Sequence, residues 1–254
     1  MVKRESNIGR VGTGLAGVTV LLALGAGSLT LLSGPAYRLG LALGSAFGML
    51  RWGAYLGLAG IVGAVLAGGL LLAAGRRGTP LVAACVAGLV AAAAFAVPYS
   101  WTKQVERVPP IHDITTDIEE PPAFQAVLPL RADAPNTAEY GGPEVAAQQR
   151  SAYPDLRPID LPVNPETAFV AAREVALSRG WEIVAAAAQE GRIEATDTTF
   201  WFGFQDDVVV RIRPRDGGSR VDIRSVSRVG RSDVGANAAR IRSFRDALLQ
   251  RLSR

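Results

Sequence analysis

The chain has 254 residues, 49% of them apolar and 20% charged, with 28 glycines, one cysteine and a net charge of +4. A mean hydropathy of +0.21 and a lone Cys85 exclude a disordered chain, a collagen and a disulfide scaffold. Residues 1–102 hold seven Lys and Arg against Glu5, a balance of +6, whereas residues 103–254 hold 20 basic and 22 acidic residues, a balance of −2; the basic excess therefore belongs to the apolar half and argues against a nucleic-acid partner.

Three stretches reach the roughly 20 apolar residues that cross a bilayer: about 11–33, 52–75 and 79–99. Basic residues precede the first, as in a signal peptide. Its uncharged run outlasts a signal core of about 7–15 residues, and no small-x-small cleavage site ends it, so it reads as a retained helix. The intervening GPAYRLGLALGSAFGMLR is apolar but carries Arg38. Residues 35–50 read as an interfacial or re-entrant stretch, with a fourth span as the alternative. With three spans, Lys3, Arg4, Arg10, Arg76 and Arg77 fall on one side. The positive-inside bias puts that side in the cytoplasm and residues 103–254 outside it, in a multi-pass inner-membrane arrangement. No Asp, Glu, His or Lys lies within a span, which argues against a pump or transporter. Gly60 and Ala64 have small-xxx-small spacing, read either as packing within the chain or as a homo-oligomer seam.

Twelve of the 15 prolines lie between Pro98 and Pro165. That density opposes helices and central strands. The stretch also carries Ile111, Ile114, Phe124, Val127, Tyr140, Tyr153, Leu156 and Ile159, too much apolar surface for simple disorder. Residues 103–163 are therefore expected to wrap a folded domain, with a short helix over 144–150. From residue 164 the pattern is regular. Asn164-Pro165-Glu166 starts a helix that stops at Gly180, with Phe169, Ala172 and Ala176 on its buried face and Val170 and Leu177 beside it. WEIVAAAA, GRIEATDTT, DDVVVRIRP and SRVDIRSVS read as strands, the second suited to an edge. Asp216-Gly217 or Gly217-Gly218 makes the last hairpin turn. A final helix over about 236–252 repeats Ile241, Phe244, Leu248 and Leu252 at helical spacing. The expectation is an α-helical anchor of three transmembrane helices plus an α+β domain over 164–254. That domain is a four-stranded antiparallel sheet with two helices on one face, in the order α-β-β-β-β-α.

The run GRIEATDTTFWFGFQDDVVVRIRP, followed by VDIRSVSRVGRSDVGANAARIRSF, resembles the domain of unknown function 1499 family over about residues 110–252. PPIHDITTDIEEPPAF is similar to that family's membrane-anchored branch. The resemblance implies a bacterial envelope protein and brings no activity, substrate or catalytic residue with it.

The densest polar cluster is RSVSRVGRSDVGANAAR, which gathers Arg224, Arg228, Arg231 and Arg240 around Ser225, Ser227, Ser232 and Asp233 and then enters a helix. Arg224, Arg228, Arg231, Ser225, Ser232 and Asp233 form the candidate ligand site, since guanidinium groups, hydroxyls and free amides suit a small anion. The alternative is a structural network with Asp233 or Asn237 capping the last helix. Arg211, Arg213, Asp222 and Arg224 share one face of the final hairpin, read as a solvated face with cross-strand pairing. Phe200, Trp201, Phe202 and Phe204 form an aromatic run expected to pack under the proline-rich segment. His112, the only histidine, is a weak metal candidate with Asp113 and Asp117 and completes no nucleophilic triad. No cofactor motif is present, because Gly230 and Gly235 match neither a phosphate loop nor a dinucleotide spacing. Two functions are carried forward. One is a membrane-bound module for a small anionic ligand or an envelope protein partner. The other is a membrane-bound hydrolase using His112 and nearby carboxylates.

Overall fold

The structure, a computed structural model, describes residues 2–253, with side chains described for residues 7–253. The side chains of Lys3 and Arg4, used above for orientation, lie outside that range. The chain divides into two compact units, residues 1–103 and 104–254.

The first unit holds three helices: α1 (Val2–Arg38), α2 (Leu43–Ala73) and α3 (Thr79–Val105). All three are long and apolar enough to cross a membrane. Residues 35–50 form no separate element. Pro35 lies inside α1, residues 39–42 make the turn, and α2 starts at Leu43. The turn contains Gly40, whose φ of 100° closes the chain back on itself. A glycine stripe on α2, consisting of Gly53, Gly57, Gly60 and Gly63, is buried. A Cβ on Gly57 would lie 2.7 Å from the Ala91 carbonyl oxygen, and one on Gly60 would lie 2.8 Å from the Ala91 Cβ. Ala64 is likewise the nearest neighbour of Gly88. The small residues thus let α2 approach its neighbours within the chain. Large apolar side chains such as Leu21, Leu31, Val65 and Leu89 point outward, as a lipid-facing surface requires.

The second unit contains β1 (Asp113–Thr115), α4 (Gly142–Ala152), β2 (Ile159–Leu161), α5 (Pro165–Ser178), β3 (Glu182–Ala187), β4 (Arg192–Thr198), β5 (Gln205–Arg215), β6 (Gly218–Ser227) and α6 (Ala236–Leu252). The sheet has six strands rather than four. Its order is β1-β6-β5-β4-β3, and β2 also pairs with β6. The two additional strands come from the proline-rich segment and take successive stretches of the free edge of β6. At three residues each they are too short to show a period of two in the sequence. The threonine-rich β4 is internal and β3 is the edge, a reversal of the expectation. Asp216-Gly217 makes the β5–β6 turn, flanked by the pair Arg215 and Gly218.

Helices α5 and α6 cover one sheet face. Alternation sends Val208, Val210 and Ile212 of β5 and Val221 and Ile223 of β6 into that core. From the helices come Phe169 and Phe244, the latter stacked on Trp181 at 5.5 Å. The Asn164 side chain accepts from the Thr167 N–H at 2.8 Å and caps α5. Val170 and Leu177, beside that buried face, are exposed.

Candidate functional site

The same alternation that builds the core turns Glu194 and Thr196 of β4, Asp207, Val209, Arg211 and Arg213 of β5, and Arg220, Asp222, Arg224 and Val226 of β6 to the opposite face. This face is not solvated. Glu194, Asp207 and Asp222 are fully buried and Arg224 is 3% exposed, because residues 117–141 lie across it as a strap. Phe124 and Val127 of the strap pack on Val209 and Val226. The strap has little regular structure, so its backbone groups must find side-chain partners. The Glu194 carboxylate accepts the Gln125 N–H at 3.0 and 3.1 Å and the Val127 N–H at 3.0 Å.

Three ionic clusters follow along the covered face. At the hairpin end, Asp117 and Asp222 share Arg211, Arg213 and Arg220 at 2.8–3.3 Å. Beside them, Glu120 is exposed, and its contact with Arg213 holds its carboxyl below the usual range. In the middle, Arg224 grips both oxygens of Asp113 at 2.9 and 2.7 Å and donates to the Pro122 and Ala138 carbonyls. The Phe124 and Tyr140 rings lie 5.1 and 5.5 Å from its guanidinium carbon, a cation–π arrangement. At the far end, Asp207 takes Arg228 through two bonds at 2.9 and 2.8 Å, Arg131 at 3.1 Å and the Thr196 hydroxyl at 2.8 Å.

Between the two limbs of the strap a groove of about 640 Å³ opens over Phe124, Arg131, Tyr140 and Arg224, with Pro121, Ala123, Leu128, Ala132 and Ala134 among its apolar walls. Of the charged side chains, Arg131, Arg224 and the exposed Glu139 line it; behind them Arg224 pairs with Asp113, and Arg131 shares Asp207 with Arg228. Burial pulls the Arg131 guanidinium below its ordinary range; Asp207 opposes this, and the like charges of Arg228 and Arg224 add to it. Two buried polar atoms have no hydrogen-bond partner, Nε of Arg131 and the hydroxyl of Tyr140. Burial, with Asp113 adding to it, pushes that phenol up to about 12. A second hollow of about 670 Å³ is lined by Arg213, Arg215 and Arg220. There Arg213 and Arg220 meet Asp117 and Asp222, and Arg215 meets Asp160, while Arg157 is exposed and donates to the Pro154 carbonyl.

The antiparallel sheet, the strap and most of the final helix fall within one matched region. The profile of a family described as protein of unknown function (DUF1499) matches residues 113–248, a little over half of the chain. The chain belongs to the DUF1499 family. No curated protein and no solved structure matches it.

Within this DUF1499 domain the candidate residues separate. Arg224 and Arg228 lie on the strap-covered face. Ser225 points to the helix face, where its hydroxyl donates to Asn237 Oδ1 at 2.6 Å and accepts from Arg240 at 3.0 Å. Arg240 is held in turn by Asp206 and Asp197 at 2.5 and 2.7 Å. Asp233 accepts the Gly235 and Asn237 N–H groups at 2.8 Å and so serves the start of α6. Its carboxyl is raised by burial against those two bonds. Ser232 accepts the Val234 N–H at 3.2 Å, and Arg231 is exposed. His112 sits apart from the acids beside it in sequence, with Nδ1 at 3.5 Å from the Arg231 carbonyl. Among the described residues no group of three or more His, Cys, Asp or Glu could hold a metal. Phe200, Trp201 and Phe202 occupy the β4–β5 turn, where Phe202 is buried and stacks on Phe204 at 5.0 Å. Sequence reasoning missed Phe124, Arg131 and Tyr140 as site residues. Their one signal was apolar and aromatic content in a proline-rich stretch.

Proposed function

We propose that this chain is a membrane-anchored binding protein that displays its DUF1499 domain outside the cytoplasm and takes a small ligand in the strap groove. The observation that carries this reading is the groove wall, where the buried guanidiniums of Arg131 and Arg224 stand beside Phe124 and Tyr140 and two buried polar atoms, Arg131 Nε and the Tyr140 hydroxyl, stay unpartnered. Three helices long enough to span, with Arg10, Arg76 and Arg77 at the ends that three spans bring to one side, support an inner-membrane anchor with an exterior C-terminal domain. The hydrolase reading lacks a geometric basis. Asp113 is bound by Arg224, Asp117 by three arginines, and the His112 ring meets neither acid. An alkaline phosphatase fused after Arg254 tests the exterior placement, because that enzyme needs the oxidising side. Activity is expected, and an active cytoplasmic reporter at the same position would overturn the placement.

A further inference from the structure

The groove holds unmet hydrogen-bond donors. The Arg131 Nε–H and the Tyr140 O–H have no acceptor. The Arg131 Nη1 has one acceptor, Asp207, and the Arg224 Nη1 also has one, the Pro122 carbonyl, although each carries two hydrogens. The guanidinium groups can only donate, and the hydroxyl can donate, so the buried capacity left over in the groove is chiefly for an acceptor. Glu139 lines the rim but is exposed, where solvent screens it. The rest of the wall is Pro121, Leu128, several alanines and the Phe124 ring, with Asn136 and Thr137 as its further polar residues. A site of buried guanidinium and hydroxyl donors beside a largely apolar wall complements a ligand with one oxyanion on an apolar body.

We propose that the groove binds a small carboxylate carried on an apolar body, with Arg131 and Tyr140 as its donors. This deepens the binding-module reading and rests on it. Tyr140 is the informative residue, because its hydroxyl has no partner in the folded protein. A purely structural role predicts that Tyr140→Phe changes little or raises stability, as a buried unsatisfied group is removed. A ligand role predicts lost affinity at unchanged stability.

The test uses the full chain in lipid nanodiscs, titrated calorimetrically against empty discs. Benzoate and hexanoate serve as planar and linear probes, with benzyl alcohol and inorganic phosphate as controls lacking the charge or the apolar body. Saturable binding of at least one carboxylate is expected, at least tenfold tighter than either control. Tyr140→Phe should weaken it at least fivefold with the thermal midpoint unchanged, and Arg131→Lys, which keeps the charge but removes Nε, should weaken it similarly. No saturable carboxylate binding, tighter binding of phosphate, or full affinity in both variants overturns the proposal. The wider reading survives that result if native mass spectrometry of the full chain shows another bound small molecule, and falls if the groove variants leave every bound mass in place.

Discussion

Asp113 and Arg224 are joined by two near-parallel hydrogen bonds, at 2.9 and 2.7 Å, diagonally across the pairing of β1 with β6. The pair ties the start of the strap to the sheet. Asp113 has no other side-chain donor among the described bonds, whereas Arg224 also meets two carbonyls and two rings. Removing either partner leaves a buried charge, which costs about 3–5 kcal/mol. Arg224→Ala should therefore lower stability more than Asp113→Ala, and the double variant should lose less than the sum of the two. Thermal unfolding followed by near-ultraviolet dichroism measures all three. Additive losses would show that the two side chains are not coupled.

Glu194 holds the strap by its backbone. Its oxygens accept the Gln125 and Val127 N–H groups, and both would be orphaned by Glu194→Ala. Glu194→Gln is more selective, since it keeps the shape but turns one acceptor into a donor facing a donor. A cost of about 1–3 kcal/mol is expected. Limited proteolysis should then cut faster between residues 121 and 140 than elsewhere in the domain. Uniform acceleration across the domain would instead mean that Glu194 supports the whole sheet and not the strap.

The helix-covered half of the domain was readable because its signals are periodic. Asn164-Pro165, the Ile241-Phe244-Leu248 spacing and the alternation of Val208, Val210 and Ile212 each follow from local chemistry. The other face was not readable. A solvated sheet face and one buried under an irregular strap carry the same alternating charges, and Arg211, Asp222 and Arg224 look alike in both. The difference lies in residues 117–141, 70 or more positions earlier in sequence, whose proline content hides any period. The polar loop after β6 was legible as a cluster but not as a geometry. Successive strand positions face opposite ways, so Arg224 and Ser225 could not share a site.

Alkaline pH should act through Tyr140. Burial raises its phenol from 10.0 to about 12. Between those values the unfolded chain has lost a proton that the folded chain keeps. Stability is thus full below pH 10 and falls as pH rises through the folded value. Tyr140→Phe should flatten that fall, though Tyr153, also raised by burial, keeps part of the slope. Denaturant midpoints of both proteins across this range measure the difference. An identical slope in the variant would place the linked proton elsewhere.

The glycine stripe on α2 yields the last prediction. Gly60 is buried with the Ala91 Cβ facing it, and Ala64 meets Gly88, so the spacing expected of a helix seam is used inside the chain. Gly60→Leu should therefore overpack the bundle, at a cost of about 1–3 kcal/mol. Substituting an outward residue, Val65→Leu, should cost almost nothing, because that side chain is 70% exposed on the apolar surface. Thermal unfolding in nanodiscs compares the two, and light scattering in detergent reads the oligomeric state. Loss of stability in Gly60→Leu with an unchanged particle mass supports packing within the chain. A fall in mass at unchanged stability would instead assign Gly60 and Ala64 to a seam between copies.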